Sequence, residues 1–252
     1  MRGKNVWIVG ANGILGRHLV SVLAPHNRLA ISGSDQAALK KIAKECEPWE
    51  PISVHPLNLA KQKDIEDTVK KVAEAWPQID VVLFLSPCVT EEAIGKTTGS
   101  QFDKALTEHV SHAYHLAKAV ETPFMAQQFG TLAFVAGATG YRAYPGATAC
   151  DLAKSGLHYM AEALYMAWKS KGIRVQVINP GFMKTATMGA RTMNFPFLVS
   201  PEASAQMIIN GLEKHCLEIH FPKILTYALK IISLTPSWLY ARLAFLWDQM
   251  RK

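Results

Sequence analysis

The chain has few cysteines, and none stands where it could share a task with another. Cys46, Cys88, Cys150 and Cys216 lie apart, with no C-x-x-C pair and no histidine at ligand spacing. That excludes a disulfide framework and a structural zinc site as expectations, and it fits a reducing compartment. Long Lys/Arg runs are missing too. The formal net charge is +7, but the basic residues are dispersed and no nucleic-acid motif accompanies them. A solvated, mildly basic surface is expected, with no nucleic-acid partner. No internal repeat, low-complexity tract or linker divides the 252 residues. The N-terminus passes from Met1-Arg-Gly-Lys4 directly into an apolar stretch, without the n-region, h-region and cleavage site of a signal peptide. The expected location is cytoplasmic.

What is present suits one large α/β domain: 49% of residues are apolar and 19% charged, enough to fill a sizeable core. Short apolar runs at Val6–Val9, Leu29–Ser32, Ile52–His55, Val81–Leu85, Thr131–Val135 and Val175–Ile178 alternate with helical patterns. The helical stretches are Leu15–Leu23, Gln36–Lys44, Asp64–Ala75, Phe102–Gln127 and Cys150–Lys171. This alternation predicts βαβ units and a single doubly wound domain, its mostly parallel sheet covered by helices on both faces. The composition changes only after about Ile219. From Phe221 to Trp247 the chain is rich in Leu, Ile, Tyr and Trp, broken by Lys223, Lys230, Pro236 and Arg242. Thr235-Pro236 predicts an N-cap and first helical residue for a last helix that is apolar nearly all round. The stretch is too interrupted to be read as a transmembrane span, which wants roughly 20 predominantly apolar residues.

The most informative motif is Gly10-Ala-Asn12-Gly13-Ile14-Leu-Gly16, following the first apolar run and opening the first helix. Glycines there permit a tight turn and let backbone N–H groups approach a pyrophosphate, with the helix N-terminus aimed at the anion. In that context the loop predicts a Rossmann-type nicotinamide dinucleotide site. The second run ends Ile31-Ser32-Gly33-Ser34-Asp35. If the ribose lies beside Gly33 and Ser34, no carboxylate repels a 2′-phosphate and Ser34 can donate to it. If Asp35 reaches back, NAD is favoured. The reading taken is NADP, with NAD as the alternative.

Three further segments carry a resemblance. Asn179-Pro180-Gly181-Phe-Met-Lys-Thr185 resembles the Pro-Gly-x-x-x-Thr segment of short-chain dehydrogenases/reductases. Phe102-Asp103 resembles the start of their long central helix. Tyr141-Arg-Ala-Tyr144-Pro-Gly146 followed by Ala149…Lys154 resembles the loop and helix that bear their catalytic Tyr-x-x-x-Lys. The likeness extends over roughly residues 4 to 215 at consistent spacing. The glycine loop departs slightly: its G-x-x-G-x-x-G spacing is more similar to that of extended members of the superfamily. The resemblance implies a dimer or tetramer and a site built from tyrosine, lysine, serine and asparagine. Matched by position, Lys154 is kept, Cys150 stands for the tyrosine, Gly137 for the serine and His109 for the asparagine. The adenosine-lining segment reads Phe84-Leu85-Ser86-Pro87, and Asn58 stands where an aspartate is usual. The resemblance places Gly10, Asn12, Gly13, Ile14, Gly16, Ser34, Asn58, Lys154, Pro180, Gly181 and Thr185 around the cofactor.

These departures change the chemistry. A phenol titrates at about 10 and a nearby ammonium brings it towards neutrality, where it gives and takes protons; a thiol starts at about 8.5 and is driven towards thiolate, a poor donor. Cysteine is also shorter than tyrosine. Four candidates for the acid/base therefore stand: Lys154 with Cys150 as an activated thiolate, His109, and a displaced phenol from Tyr144 or Tyr141. Each has a plainer reading: a small packing residue for Cys150, a hydrogen-bonded helix residue for His109, rim residues for the tyrosines. Met183, Met188, Met193, Phe195 and Phe197 suggest that 183–200 forms an apolar lid over a small apolar substrate. The segment 220–252 is expected to be buried against another subunit or to lie on a membrane surface. The function expected is NAD(P)(H)-dependent oxidoreduction of an apolar alcohol or carbonyl compound by a non-standard proton path. The alternative is a catalytically silent dinucleotide-binding sensor, scaffold or partner subunit.

Overall fold

The computed structural model describes residues 1–86, 92–183 and 197–250. Its strands are β1 (Asn5–Val9), β2 (Arg28–Gly33), β3 (Ser53–Pro56), β4 (Val81–Leu85), β5 (Gly130–Val135), β6 (Ile173–Pro180) and β7 (Glu218–Phe221). The helices described are α1 (Ile14–Leu23), α2 (Gln36–Glu45), α3 (Gln62–Ala75), α4 (Gly99–Leu106), α5 (His112–Gln127), α6 (Ala149–Trp168), α7 (Pro201–Leu212), α8 (Lys223–Ser233) and α9 (Ser237–Met250). The strands form one sheet in the order β3-β2-β1-β4-β5-β6-β7, with every adjacent pair parallel. This is a single doubly wound α/β domain.

Side-chain alternation along the strands sorts the core into two layers. Val6 and Ile8 of β1 join Leu19 and Leu23 of α1, Leu39 of α2 and Ile208 of α7 on one face of the sheet. Trp7 and Val9 join Ile65 of α3, Leu116 and Phe124 of α5, and Leu157 of α6 on the other. Because both faces are covered, the central strands β1 and β4 read as continuous apolar runs after their first residues, whereas the outer strands β3 (SVHP) and β7 (EIHF) do not. Strand order reverses at β1: β2 and β3 lie to one side of it, β4 to β7 to the other. The loops leaving the C-terminal ends of β1 and β4 therefore diverge and open a crevice, where ligands of such sheets bind.

The structure departs from the sequence reading at the ends of the chain and in the central helix. The expected helix Phe102–Gln127 is interrupted by a π turn over Thr107–Ser111, between α4 and α5. The helix expected to reach Lys171 ends at Trp168, and a 3-10 turn covers Lys169–Lys171. The strand β7 and the helices α7 and α8 were not anticipated. The last helix starts at Ser237, with the Pro236 carbonyl accepting from Leu239 and Tyr240, so Pro236 caps α9 and does not begin it. No helix among the described residues is long and apolar enough to cross a membrane.

Candidate active site

The glycine loop sits in the crevice, and steric demands account for two of its three glycines. Gly10 adopts φ 91°, and a Cβ there would run into the Leu85 carbonyl of neighbouring β4. At Gly16 a Cβ would meet Cα and O of Ala11 at 2.7 Å. Gly13 differs: its φ is −67° and the nearest atom to a Cβ is Gly10 O at 3.7 Å. It is the N-cap of α1, provides no side-chain cap, and is followed by a first turn without acidic residues. Gly13 and Ile14 are both exposed. The first-turn N–H groups of α1 thus meet open space that a side chain at 13 would partly fill, and such a cradle fits a pyrophosphate. Asn12 lies across the end of β2, on the atoms that a Cβ at Gly33 would displace. Ser34 is exposed, while Asp35 is turned to α2, where its carboxylate accepts from the Ala38 N–H at 3.0 Å. Asn58 is exposed and closes its own turn by accepting from the Ala60 N–H at 3.0 Å.

The opposite wall is built by the segment between β5 and α6. Thr148 and Asp151 form a reciprocal capping box that starts α6 and fixes the Asp151 carboxylate. Onto that carboxylate the Tyr144 phenol donates at 3.0 Å, and Lys154 Nζ stands 3.5 Å from its other oxygen. Lys154 also donates to Thr139 Oγ1 at 3.4 Å. Tyr144, Asp151, Lys154 and Thr139 therefore form one connected chain. Burial works to raise the Asp151 carboxyl, but the Lys154 charge and hydrogen bonds from Thr139 and Thr148 outweigh it and hold it below the usual range. An open cleft of about 290 Å³ borders the Tyr144 end of this chain, between the loop before α6 and α9, and is lined by Ala143, Tyr144, Pro145, Tyr240, Ala244 and Phe245.

Cys150 is elsewhere. It is 1% exposed and packs with Ala105 and Phe102 of α4 and with Ala149, as a small core residue does. His109 lies in the π turn, 2% exposed, its Nδ1 hydrogen-bonded to the Ser86 hydroxyl just past β4. Its Nε2 is buried with no hydrogen-bond partner among the described residues. Gly137 is held at φ 153°, and a Cβ there would meet the aliphatic chain of Lys154 at 3.2 Å. Lys154 thus packs against the space a side chain at 137 would enter.

Tyr141 belongs to a second network. Its phenol donates to Glu218 of β7, which also accepts from Asn179 Nδ2 at 2.8 Å and pairs with Lys230 of α8. Asn179 Oδ1 accepts from His158 and, at 3.3 Å, from the Gly137 N–H. Burial and the bond to Glu218 push the Tyr141 phenol well above its ordinary value, and the carboxylate it reaches pairs with Lys230, whereas that of Tyr144 pairs with Lys154. Burial also lowers His158, against the pull of Asn179 and Glu218. For Glu218 burial alone would raise the carboxyl, yet the bonds from Lys230, Tyr141 and Asn179 prevail and lower it.

Of the residues named from sequence, the structure gathers Gly10, Asn12, Gly13, Ile14 and Gly16 at the crevice. It joins Lys154 to Tyr144 and sets Pro180 and Gly181 at the end of β6, where the Gly181 N–H donates to Phe221 O at 2.7 Å. Cys150 packs against α4, and His109 bonds Ser86. Thr185, Pro87, Cys88 and Met188, Met193 and Phe195, expected in a lid, lie outside the described residues; beside that segment the Val199 N–H donates to Phe182 O at 3.0 Å. Sequence reasoning missed Thr139, Asp151, His158 and Glu218. Only Asp151 had a local signal, the Thr148-x-x-Asp151 box.

Comparison with known proteins agrees with this architecture. The short chain dehydrogenase profile matches residues 4–194. A 3-oxoacyl-[acyl-carrier-protein] reductase of Thermotoga maritima is 23% identical over 188 residues, covering 73% of this chain and 76% of its own. An uncharacterized oxidoreductase of Staphylococcus aureus is 18% identical over 206 residues, 81% of this chain and 89% of its own. The crystal structure of a short-chain dehydrogenase from Streptomyces avermitilis superposes with a TM-score of 0.80 at 17% identity, covering 99% of this chain and 98% of that one. With a profile match over most of its length, the chain belongs to the short-chain dehydrogenase family.

Proposed function

We propose that the protein is an oxidoreductase that uses NADP(H) in preference to NAD(H) to interconvert an apolar alcohol and its carbonyl compound, with Tyr144 in place of the missing tyrosine at 150. The connected chain Tyr144–Asp151–Lys154–Thr139 carries this reading, because it puts a phenol that borders an apolar cleft in contact with a lysine-paired carboxylate. When bound, the dinucleotide supplies or takes up the hydride. The first-turn N–H groups of α1 would hold its pyrophosphate, Asn58 its adenosine end, and Pro180 and Gly181 its nicotinamide end. Tyr144 would turn its O–H from Asp151 to the substrate oxygen and give up the proton there. Lys154 would stabilise the resulting phenolate, with Asp151 and Thr139 fixing the ammonium. The Asp35 carboxylate, engaged by α2, leaves Ser34 free to face a 2′-phosphate, which supports NADP. The name of the Thermotoga relative, a 3-oxoacyl reductase, supports carbonyl reduction.

The test is turnover of a panel of apolar ketones with NADPH and NADH in parallel. Tyr144→Phe should lower kcat roughly a hundred- to ten-thousand-fold, the usual worth of general acid catalysis, while Cys150→Ala keeps it. The opposite pattern assigns the chemistry to the thiol. Tight cofactor binding without turnover in any form would replace the proposal with a dinucleotide-binding sensor or scaffold.

A further inference from the structure

The helical hairpin α8–α9 leaves an apolar face uncovered. On α8 the outward positions Ile224, Tyr227, Ala228 and Ile231 recur at helical spacing, and Ile231 is 70% exposed. At the bend Leu234 is 83% exposed, and on α9 Trp238, Leu243, Phe245 and Leu246 are all more than half exposed. The inward faces are anchored. Thr226 hydrogen-bonds His220 at 2.7 Å, Lys230 pairs with Glu218, Tyr240 donates to the Ala143 carbonyl, and Arg142 stacks on the Tyr240 ring at 4.5 Å. The exposed face is therefore held in place on the domain. A contiguous uncovered patch of this kind marks an interaction surface.

Charge decides among the occupants. From Ile219 through Trp247 the sequence holds no Asp or Glu, while Lys223, Lys230 and Arg242 lie within it; Asp248, Arg251 and Lys252 follow. Lys230 is neutralised by Glu218; Lys223 and Arg242 are exposed beside the apolar face. In a two-fold dimer the same patch meets itself, so these cations would face one another with Asp248 of α9 as the one acidic residue of the hairpin to answer them. An anionic bilayer answers both properties: it takes the apolar side chains into the acyl boundary and the cations among its headgroups. The helices have 11 and 14 residues, or roughly 16 and 21 Å at 1.5 Å per residue, which suits lying in the interface and falls short of the ~30 Å hydrocarbon core.

We infer that the α8–α9 hairpin is a docking surface for an anionic lipid membrane. The test is flotation of the full chain with phosphatidylcholine vesicles, with and without phosphatidylserine. The wild type should float with the phosphatidylserine vesicles and far less with phosphatidylcholine alone, and added salt should weaken the association. Lys223→Gln and Arg242→Gln should each weaken it about fivefold. Ile231→Glu combined with Leu243→Glu should abolish it while leaving the unfolding midpoint and dinucleotide binding unchanged, because both side chains are exposed. Absence of flotation, or equal flotation with both vesicle types, would overturn the inference. So would a dimer seen in light scattering that Ile231→Glu dissociates while vesicles bind nothing, which would assign the face to a second copy.

Discussion

The two walls of the crevice are built by different means. On the β1–α1 side, backbone sterics dictate the residues: Gly10 and Gly16 are where they are because a Cβ would strike Leu85 O or Ala11. On the β5–α6 side, side chains distant in sequence hold one another in place, and Gly137, Asn179, His158, Tyr141 and Glu218 are linked from β5 to β7. A backbone constraint tolerates almost no substitution. A side-chain network can be rebuilt with other residues.

Substitution at the glycine loop should break this comparison most visibly. Gly10→Ala forces a side chain onto φ 91° and into Leu85 O, and should cost about 3 kcal/mol or more in urea unfolding. Gly13→Ala meets no protein atom closer than 3.7 Å, so it should cost at most about 1 kcal/mol through the poorer N-cap. It should nevertheless weaken dinucleotide binding at least about tenfold by filling the anion cradle. Normal NADPH titration of a Gly13→Ala protein would show that no phosphate sits there.

Gly137→Ser, which would place a hydroxyl beside Lys154, should be the next largest effect. The backbone φ of 153° and the Lys154 chain 3.2 Å from a Cβ oppose it, for a loss of about 1–3 kcal/mol. Combining it with Cys150→Tyr presses a large ring among Ala105, Phe102 and Ala149. Both variants should lower the denaturant midpoint. An undiminished midpoint for Gly137→Ser would show that the β5–α6 wall yields easily.

How far the sequence revealed each wall follows from the same distinction. The glycine loop was legible because its constraint is local: a strand, a turn and a helix start within a dozen residues. The apolar runs placed six strands for a similar reason, since strands covered on both faces, such as β1 and β4, are largely apolar, though the edge strand β3 (SVHP) is only half-buried. β7 escaped notice because its four residues, Glu218 to Phe221, alternate polar and apolar and run into the apolar C-terminal stretch. The capping signals of α7, Ser200 before Pro201, were present but passed over. Glu218 could not be found from sequence, because its partners Tyr141 and Asn179 lie 77 and 39 residues away. The choice of Tyr144 over Tyr141 likewise depended on which carboxylate each phenol reaches.

Acid should act on the network wall before the glycine wall. His158 and Glu218 both titrate below their ordinary values in the folded protein. A depressed folded value means the contribution is complete above the unfolded value and is lost as pH falls through the folded one. Stability should therefore begin to decline below about 6.5, as His158 is driven to protonate, and decline again below about 4.3, as Glu218 is driven to do so. His158→Gln should flatten the upper arm and Glu218→Gln the lower, read as unfolding free energy against pH. Identical profiles for wild type and both variants would mean that the network contributes nothing.

The smallest expected effect separates the two functions of Asp151. Its carboxylate accepts the Thr148 N–H at 3.0 Å and so caps α6, and the same oxygen receives the Tyr144 phenol at 3.0 Å. Thr148 returns the bond, its hydroxyl oxygen accepting from the Asp151 N–H at 3.2 Å. Thr148→Ala removes that half of the box and should cost about 1 kcal/mol, whereas Thr148→Ser keeps the hydroxyl and should restore it. If Asp151 also positions Tyr144 and Lys154, the alanine variant should lose kcat severalfold with KM for the dinucleotide unchanged, and serine should recover both. Stability that falls without any change in kcat would leave Asp151 as a helix cap alone and separate the proton path from the carboxylate.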